Sequence, residues 1–343
     1  EEHGYAVDAH FVVSERQVDA TILDDGELTG TAISAKPLAL HPARFFEFYK
    51  AYKQCVEQVG GLIETTGARA MIATGGFVSG PSVAAAKKAG IPIALVSLDA
   101  VPGKSNRWSA RSATKIFSAY DTPMLKNADV VSVPLRRSVV ATATPEEARE
   151  ALGLKPDVPT LLVFGGSQGG GTINQAFIEI AKRNPAQSPF KGGTWQILHL
   201  AGESDREAVA EQYELHNIPG KVLGFCGEMG LAWAAASLCV CRSGAGSVAE
   251  GWANAVPMLF LPYPFHKDDH QRMNALPAVK CGGGLLLQDQ TDPKQNADEL
   301  LGPLRGIMPN TSRLAQMRRA LEENQPPDGA EAIAEWVVES LGL

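Results

Sequence analysis

The sequence predicts an α/β protein: two consecutive Rossmann-like domains whose parallel sheets face one another across a cleft. Three observations carry that prediction. Short apolar runs of strand length alternate with helix-length segments through most of the 343 residues. Gly-rich loops follow several of these runs and lead into helices. The alternation breaks once, over the polar residues 134–159, and then starts again.

Taken in order, residues 6–13 read as a strand, and Ser14 with Glu15 as the start of a short helix. Residues 21–42 are polar and rich in Gly and Pro, which suggests one strand with flanking loops. A helix follows at 41–59, a strand at 69–73 and a Gly-rich loop at 74–80, with Pro81 as the first residue of a helix to Ala89. Strands are expected at 91–98, 115–118 and 130–133, with a helix at 105–113. Residues 134–159 read as a linker that carries a Thr-Pro-Glu-Glu helix start at Thr144. The second series has strands at 160–164, 195–200, 221–224, 238–241, 258–261 and 284–287. Helices lie between them, and a final amphipathic helix spans 328–341.

A net charge of -7 argues against nucleic acid as the main partner. Five cysteines without a paired framework suit a reducing, cytoplasmic setting. Cys239 and Cys241 alternate on a strand, face one side and read as core thiols. No apolar run is long enough to span a membrane, and nothing in the given residues reads as a signal peptide. The chain begins without methionine and its first residues read as a helix end entering a strand, so a preceding segment is expected.

Residues 237–274 hold one β-α-β unit with a Gly-containing turn, Ser243-Gly244-Ala245, at a strand's carboxyl end. Open α/β sheets bind ligands at that place, and a helix N-terminus with free N–H groups suits a phosphate. Glu250, a turn or so into the helix, is placed to reach a ribose hydroxyl. Five glycines in the seven residues 165–171 let the backbone approach an anion closely ahead of the next helix. Neither the dinucleotide fingerprint nor a P-loop lysine is present. Residues 74–81, Thr-Gly-Gly-Phe-Val-Ser-Gly-Pro, repeat the strand-loop-helix arrangement in the first half. His266 and His270 are four apart, but no third metal ligand accompanies them, and contact of Asp269, His270 and Gln271 with sugar hydroxyls is the better use. The helix at 41–53 interleaves Phe45, Phe46, Tyr49 and other aromatics with Lys50 and Lys53 around most of its circumference. Such a helix suits core packing or an interfacial membrane contact.

Jointly these motifs resemble the MurG family of GT-B glycosyltransferases, peripheral membrane enzymes that add N-acetylglucosamine to a lipid-linked muramoyl peptide in cell-wall synthesis. The matching words are G-G-F-V-S-G-P at 75–81, G-G-S-Q-G at 165–169, C-R-S-G-A at 241–245, V-A-E at 248–250 and K-D-x-x-Q-x-x-N-A at 267–275, together with Pro134-Leu135-Arg136. The resemblance implies an acceptor- and membrane-facing domain, 1–137 with 328–343, and a donor-binding domain, 138–327. It places Arg136, Gly165, Gly166, Ser167, Gln168 and Gly169 on the donor's pyrophosphate, with Ser243, Gly244 and Ala245 beside them. Glu250 falls on the ribose, and Asp269, His270 and Gln271 on the sugar. Gly75, Gly76, Phe77, Ser79 and Gly80 fall on the acceptor's diphosphate. It further implies UDP-N-acetylglucosamine as donor, a polyprenyl-diphosphate-linked acceptor, no required cofactor or metal, and an anionic surface at the cytoplasmic face of the cell membrane.

Two departures from the family pattern bear on the chemistry. The family's G-G-T-G-G-H loop, with its proposed catalytic histidine, falls before Glu1, and Asp99 stands where the family has Asn. The general base is therefore expected to be an upstream histidine or Asp99. A related lipid glycosyltransferase, a UDP-sugar epimerase and a nucleotide-sugar-binding subunit share these loops and stand as the alternatives.

Overall fold

Chain contacts divide the protein into two units, Glu1–Leu98 with Pro102–Val131 and Gly329–Leu343, and Ser132–Asp328 with Asp99–Val101. The computed structural model describes residues 4, 7–26, 28–36, 42–166, 170–183, 188–265 and 268–343, the side chains at 18, 21, 22, 25, 42–45 and 191 excepted.

The first unit opens with β1 (Phe11–Ser14), α1 (Gln17–Asp25) and β2 (Gly30–Ile33), the two strands pairing in parallel. Where residues 21–42 suggested one strand and loops, the helix runs on to Asp25. Asp19 anchors its start by accepting from the Ser14 amide and hydroxyl, and Gly30 has no side chain to displace Leu23. Next come α2 (Pro42–Thr66), β3 (Met71–Ala73), α3 (Gly76–Ala89), β4 (Ile93–Ser97), α4 (Lys104–Ser109), β5 (Lys115–Ser118) and β6 (Asp129–Val130). Strands β3 to β6 form a parallel sheet in that order. Helix α3 starts five residues ahead of Pro81. Gly75 and Gly76 adopt φ of 102° and 78°, which turns the chain straight onto the helix, and Pro81 then forgoes one backbone hydrogen bond inside it. The last helix, Gly329–Leu341, returns to this unit and packs Ile333 against Ala94, Val96, Phe117 and Val131.

In the second unit, residues 134–159 are packed structure, in contrast to the linker their polarity suggested. A short 3-10 turn, Arg137–Val139, precedes α5 (Pro145–Ala151), which a Thr144–Glu147 capping box starts. Ala148, Leu152 and Leu154 join the core, and buried Arg149 donates to Ala235 O, Pro156 O and Ser237 Oγ. Polar residues fill this stretch because they bond to backbone rather than to water.

Then follow β7 (Thr160–Phe164), α6 (Gly171–Ala181), β8 (Gln196–Leu200), α7 (Arg206–Leu215), β9 (Gly220–Leu223), α8 (Met229–Ala235), β10 (Ala236–Cys241), α9 (Ala245–Ala253), β11 (Met258–Phe260), α10 (His270–Lys280) and β12 (Gly284–Leu286). Helices α11 (Pro293–Ile307) and α12 (Thr311–Glu323) complete the unit. The six strands form one parallel sheet in the order β12-β11-β10-β7-β8-β9. The chain builds outward from β7 through β8 to β9, then returns to place β10 on the other side of β7. The switch point therefore lies between β7 and β10, where doubly wound sheets bind ligands. Both faces are covered, so the central strands are uniformly apolar; Leu161, Leu162, Val163, Leu238, Cys239, Val240 and Cys241 are fully buried. Cys239 and Cys241 face the same core cluster as free thiols.

Candidate active site

Strand register brings the loops of the second unit together. Phe164 pairs with Cys241, Cys241 with Phe260, and Phe260 with Leu286, so four strands end at one level. The chain leaves that level through Gly165, Arg242, Leu261 and Leu287, side by side.

After β7, the Gly loop folds tightly back on itself. Gly166 has φ 85°, and a side-chain carbon on Gly170 would lie 2.5 Å from Gly165 Cα, so only glycine fits. Gly170 then caps α6, whose first-turn N–H groups point out at the switch point. Ser167, Gln168 and Gly169, expected on the pyrophosphate, lie outside the described residues. After β10, Gly244 caps α9 and Ala245 is its first residue. Ser243 is fully buried, and its hydroxyl has no partner among the described residues. Two helix N-termini thus open side by side.

Glu250 lies in the second turn of α9. Trp233 Nε1, on α8, donates to its Oε2 at 2.9 Å, which fixes the carboxylate and leaves Oε1 for a ligand. Burial pushes its carboxyl up, and the Trp233 bond and the charge of Arg136 oppose that shift. Arg136 is exposed and caps the 3-10 turn. Two anchors hold that turn. Asn254, just past α9, accepts from Ala141 N–H at 2.7 Å and donates to Val139 O at 3.0 Å. Gly230 of α8 approaches so closely that a side-chain carbon there would sit 2.7 Å from Ser138 O. The expected pair of a carboxylate and a guanidinium is thereby brought together.

On the loop ahead of α10, Asp269 caps the helix at φ 52°. His270 Nδ1 bonds Asp268 at 2.7 Å, and that hydrogen bond holds the Asp268 carboxyl below its usual range. Gln271 Oε1 accepts from Tyr263 N–H at 2.9 Å, which leaves its amide N–H groups for a sugar. His266, weighed as a metal partner of His270, lies outside the described residues. Asp99 groups with this unit through Asn274, which donates to Asp99 Oδ1 at 2.9 Å and to Ser243 O at 3.2 Å and accepts from Ala100 N–H at 2.8 Å.

The sequence reading gave no part to a buried polar cluster beneath these loops. Arg242 Nη1 donates to Asp289 Oδ2 at 2.7 Å and to Leu261 O at 2.6 Å. Its Nη2 donates to Thr172 Oγ1 at 2.6 Å, and Thr172 in turn donates to Asp289 Oδ2 at 2.6 Å. Burial raises the Asp289 carboxyl, but bonds from Thr172, Asn296, Thr291 and Arg242 prevail and hold it below its usual range. The C-R-S-G-A word contains Arg242, yet Asp289 lies 47 residues on with no motif around it.

In the first unit, the Gly75-Gly76 turn opens α3. Ser79 Oγ accepts from Gly75 N–H at 2.9 Å and donates to Gly75 O at 2.6 Å, so this hydroxyl shapes the loop from within. A side-chain carbon on Gly75 would meet Asn106 Oδ1 at 2.5 Å. Phe77 is 47% exposed with the Arg16 guanidinium 5.9 Å over its ring, while Gly80 backs onto Trp108 and Tyr52. On α2, Phe46 and Tyr49 are 72% and 47% exposed, Lys53 Nζ lies 5.1 Å over the Tyr49 ring, and Lys50 is exposed. The Phe45 side chain lies outside the described residues. No described helix is long and apolar enough to cross a membrane.

Residues 160–333 match the glycosyltransferase family 28 C-terminal domain, and residues 1–118 match the family's N-terminal domain. A Nocardioides protein named UDP-N-acetylglucosamine–N-acetylmuramyl-(pentapeptide) pyrophosphoryl-undecaprenol N-acetylglucosamine transferase is 35% identical, over 80% of this chain and 73% of its own length. A protein of the same name from Streptomyces coelicolor is 34% identical, over 82% of this chain and 75% of its own. The crystal structure of Acinetobacter baumannii MurG superposes with a TM-score of 0.72 at 23% identity, covering 96% of this chain and 90% of that one. A parallel α/β sheet with its ligand loops at the switch point, two matched domains and relatives at this identity lead to one assignment: the chain belongs to glycosyltransferase family 28.

Proposed function

We propose that this protein is an inverting glycosyltransferase that moves N-acetylglucosamine from UDP-N-acetylglucosamine to a polyprenyl-diphosphate-linked muramoyl-peptide acceptor in peptidoglycan synthesis. The observation that carries the donor side is Glu250, held by Trp233 with the Arg136 charge acting on it, one helix turn from the switch-point loops. Its carboxylate accepts from ribose hydroxyls, while Arg136 and the α6 N-terminus take the diphosphate. The relatives' shared name supplies the sugar and the acceptor.

In the reaction an acceptor hydroxyl oxygen attacks the anomeric carbon. A carbon–oxygen bond forms as the bond to the donor phosphate breaks, UDP departs with the electron pair, and the hydroxyl proton passes to a base. Charge growing on UDP meets N–H groups oriented before the reaction starts, which is where fixed dipoles lower a barrier most. This assigns no cofactor or metal a required role. Asp99 or a histidine supplied from upstream serves as base. Residues 138–327 bind the donor, and 1–137 with 328–343 receive the acceptor through the Gly75–Gly80 loop. The exposed Phe46, Tyr49, Lys50 and Lys53 of α2 rest on the anionic cytoplasmic face of the membrane.

Transfer to a lipid-linked acceptor analogue tests the reading. Product is expected with UDP-N-acetylglucosamine and not with UDP-galactose, and Glu250→Ala is expected to raise the donor KM by about tenfold or more, as loss of a charged hydrogen bond does. Unchanged donor affinity in that variant, or equal use of both sugars, would overturn it.

A further inference from the structure

We propose that Arg242, with Asp289 and Thr172, is the positioning element that sets the diphosphate and sugar half of the donor site without touching the donor; this rests on the donor-site reading above. A guanidinium at the end of a phosphate-binding strand invites assignment as a phosphate ligand. Here it is directed inward. The Arg242 side chain is 6% exposed and that of Asp289 is fully buried. Nη1 serves Leu261 O, Pro262 O and Asp289, Nη2 serves Thr172, and the guanidinium lies 5.5 Å over the Tyr263 ring.

Each partner belongs to a different loop at the carboxyl edge of the sheet. Thr172 is in the first turn of α6, which ends the Gly loop after β7. Leu261, Pro262 and Tyr263 begin the loop after β11 that leads to Gln271, and Asp289 follows β12. Arg242 itself opens the loop after β10. One buried cation thus sets the spacing of four loops whose strands end in register. Asp289 cannot shift to follow a displaced partner, because its Oδ1 accepts from Thr291 N–H and Asn296 Nδ2, both at 2.8 Å. The ribose half is built separately. Glu250 is held by Trp233 and the Arg136 turn by Asn254, and neither shares a hydrogen bond with the cluster.

That separation yields a split in binding. Uridine and UDP are titrated against the full chain by NMR and calorimetry, with thermal melting alongside. Thr172→Val removes one acceptor of Arg242, and Thr172→Ser restores it. The double variant Arg242→Met with Asp289→Leu replaces the buried pair by apolar groups, a change that folds often tolerate. Thr172→Val and the double variant are expected to bind UDP about tenfold more weakly, as small misplacements of binding groups do, with uridine affinity within about twofold of the parent. Thr172→Ser is expected to regain parental UDP affinity. Unchanged UDP binding in a folded Thr172→Val, or an equal loss for uridine and UDP, would overturn the proposal. Failure of the parent chain itself to bind UDP would overturn the donor-site reading, and this proposal with it.

Discussion

His199 on β8 is fully buried, and its surroundings settle its tautomer. Asn174 directs Nδ2 to Ala201 O and Asp205 Oδ2, so its Oδ1 can only accept, and His199 Nε2 carries the proton at 3.0 Å. Nδ1 then accepts from the Tyr213 hydroxyl at 2.7 Å. Burial lowers the imidazole to about 3 from an ordinary 6.5. Between those values the unfolded chain binds a proton that the native side chain refuses, so stability falls as pH drops through the window and is flat above it. Urea unfolding is expected to show a slope of about 1 kcal/mol per pH unit from this group between pH 6 and 4, and His199→Gln is expected to flatten it. None of this was legible in the sequence, where His199 is one polar letter in an apolar strand. Glu250 was legible, because a carboxylate a turn into a helix after a switch-point strand has few other uses. The Trp233 that holds it was not, since nothing between the two residues signals that α8 and α9 meet.

At the scale of elements, strands were read well and helix starts less well. β5 and β7 fall on the expected residues, since uninterrupted apolar runs of four or five have few other readings. α3 was misread because proline usually marks a first turn, whereas two positive-φ glycines and the Ser79 hydroxyl start this helix earlier. The turn at Arg137–Val139 was hidden for another reason: its anchors, Gly230 and Asn254, come from roughly a hundred residues away in the chain. Asn254→Ala would leave the Ala141 N–H and the Val139 carbonyl without that partner. Such a change costs about 1–3 kcal/mol in chemical unfolding, and with Arg136 loosened the donor KM is expected to rise a few fold. A loss of stability with no change in donor KM would separate the turn from the donor site.

For the molecule as a whole, alternation and loop chemistry specified two parallel α/β units, and the matched family domains agree with them. The net charge of -7 says little about where charge lies; Lys50 and Lys53 are exposed beside Phe46 and Tyr49. An anionic surface binds through such a patch by local attraction and apolar insertion together. The protein is expected to co-sediment with phosphatidylglycerol-containing vesicles, less so at high salt, and the combined Phe46→Ala and Tyr49→Ala variant is expected to stay in the supernatant. Equal sedimentation of parent and variant would remove α2 from the membrane contact.

The two small sheets of the first unit carry a different consequence. Among the described residues β1 pairs with β2 alone and β3 with β4 alone, and apolar Phe11 and Ile72 are exposed on these strands. The outer backbone of each strand is therefore left to water, in contrast to β7 and β10, which are hydrogen-bonded on both sides. Strand edges of this kind accept any extended chain that reaches them, a neighbouring molecule included. Crowding, heating and freeze–thaw will test this protein first at those edges, long before the sheet that carries the donor loops gives way.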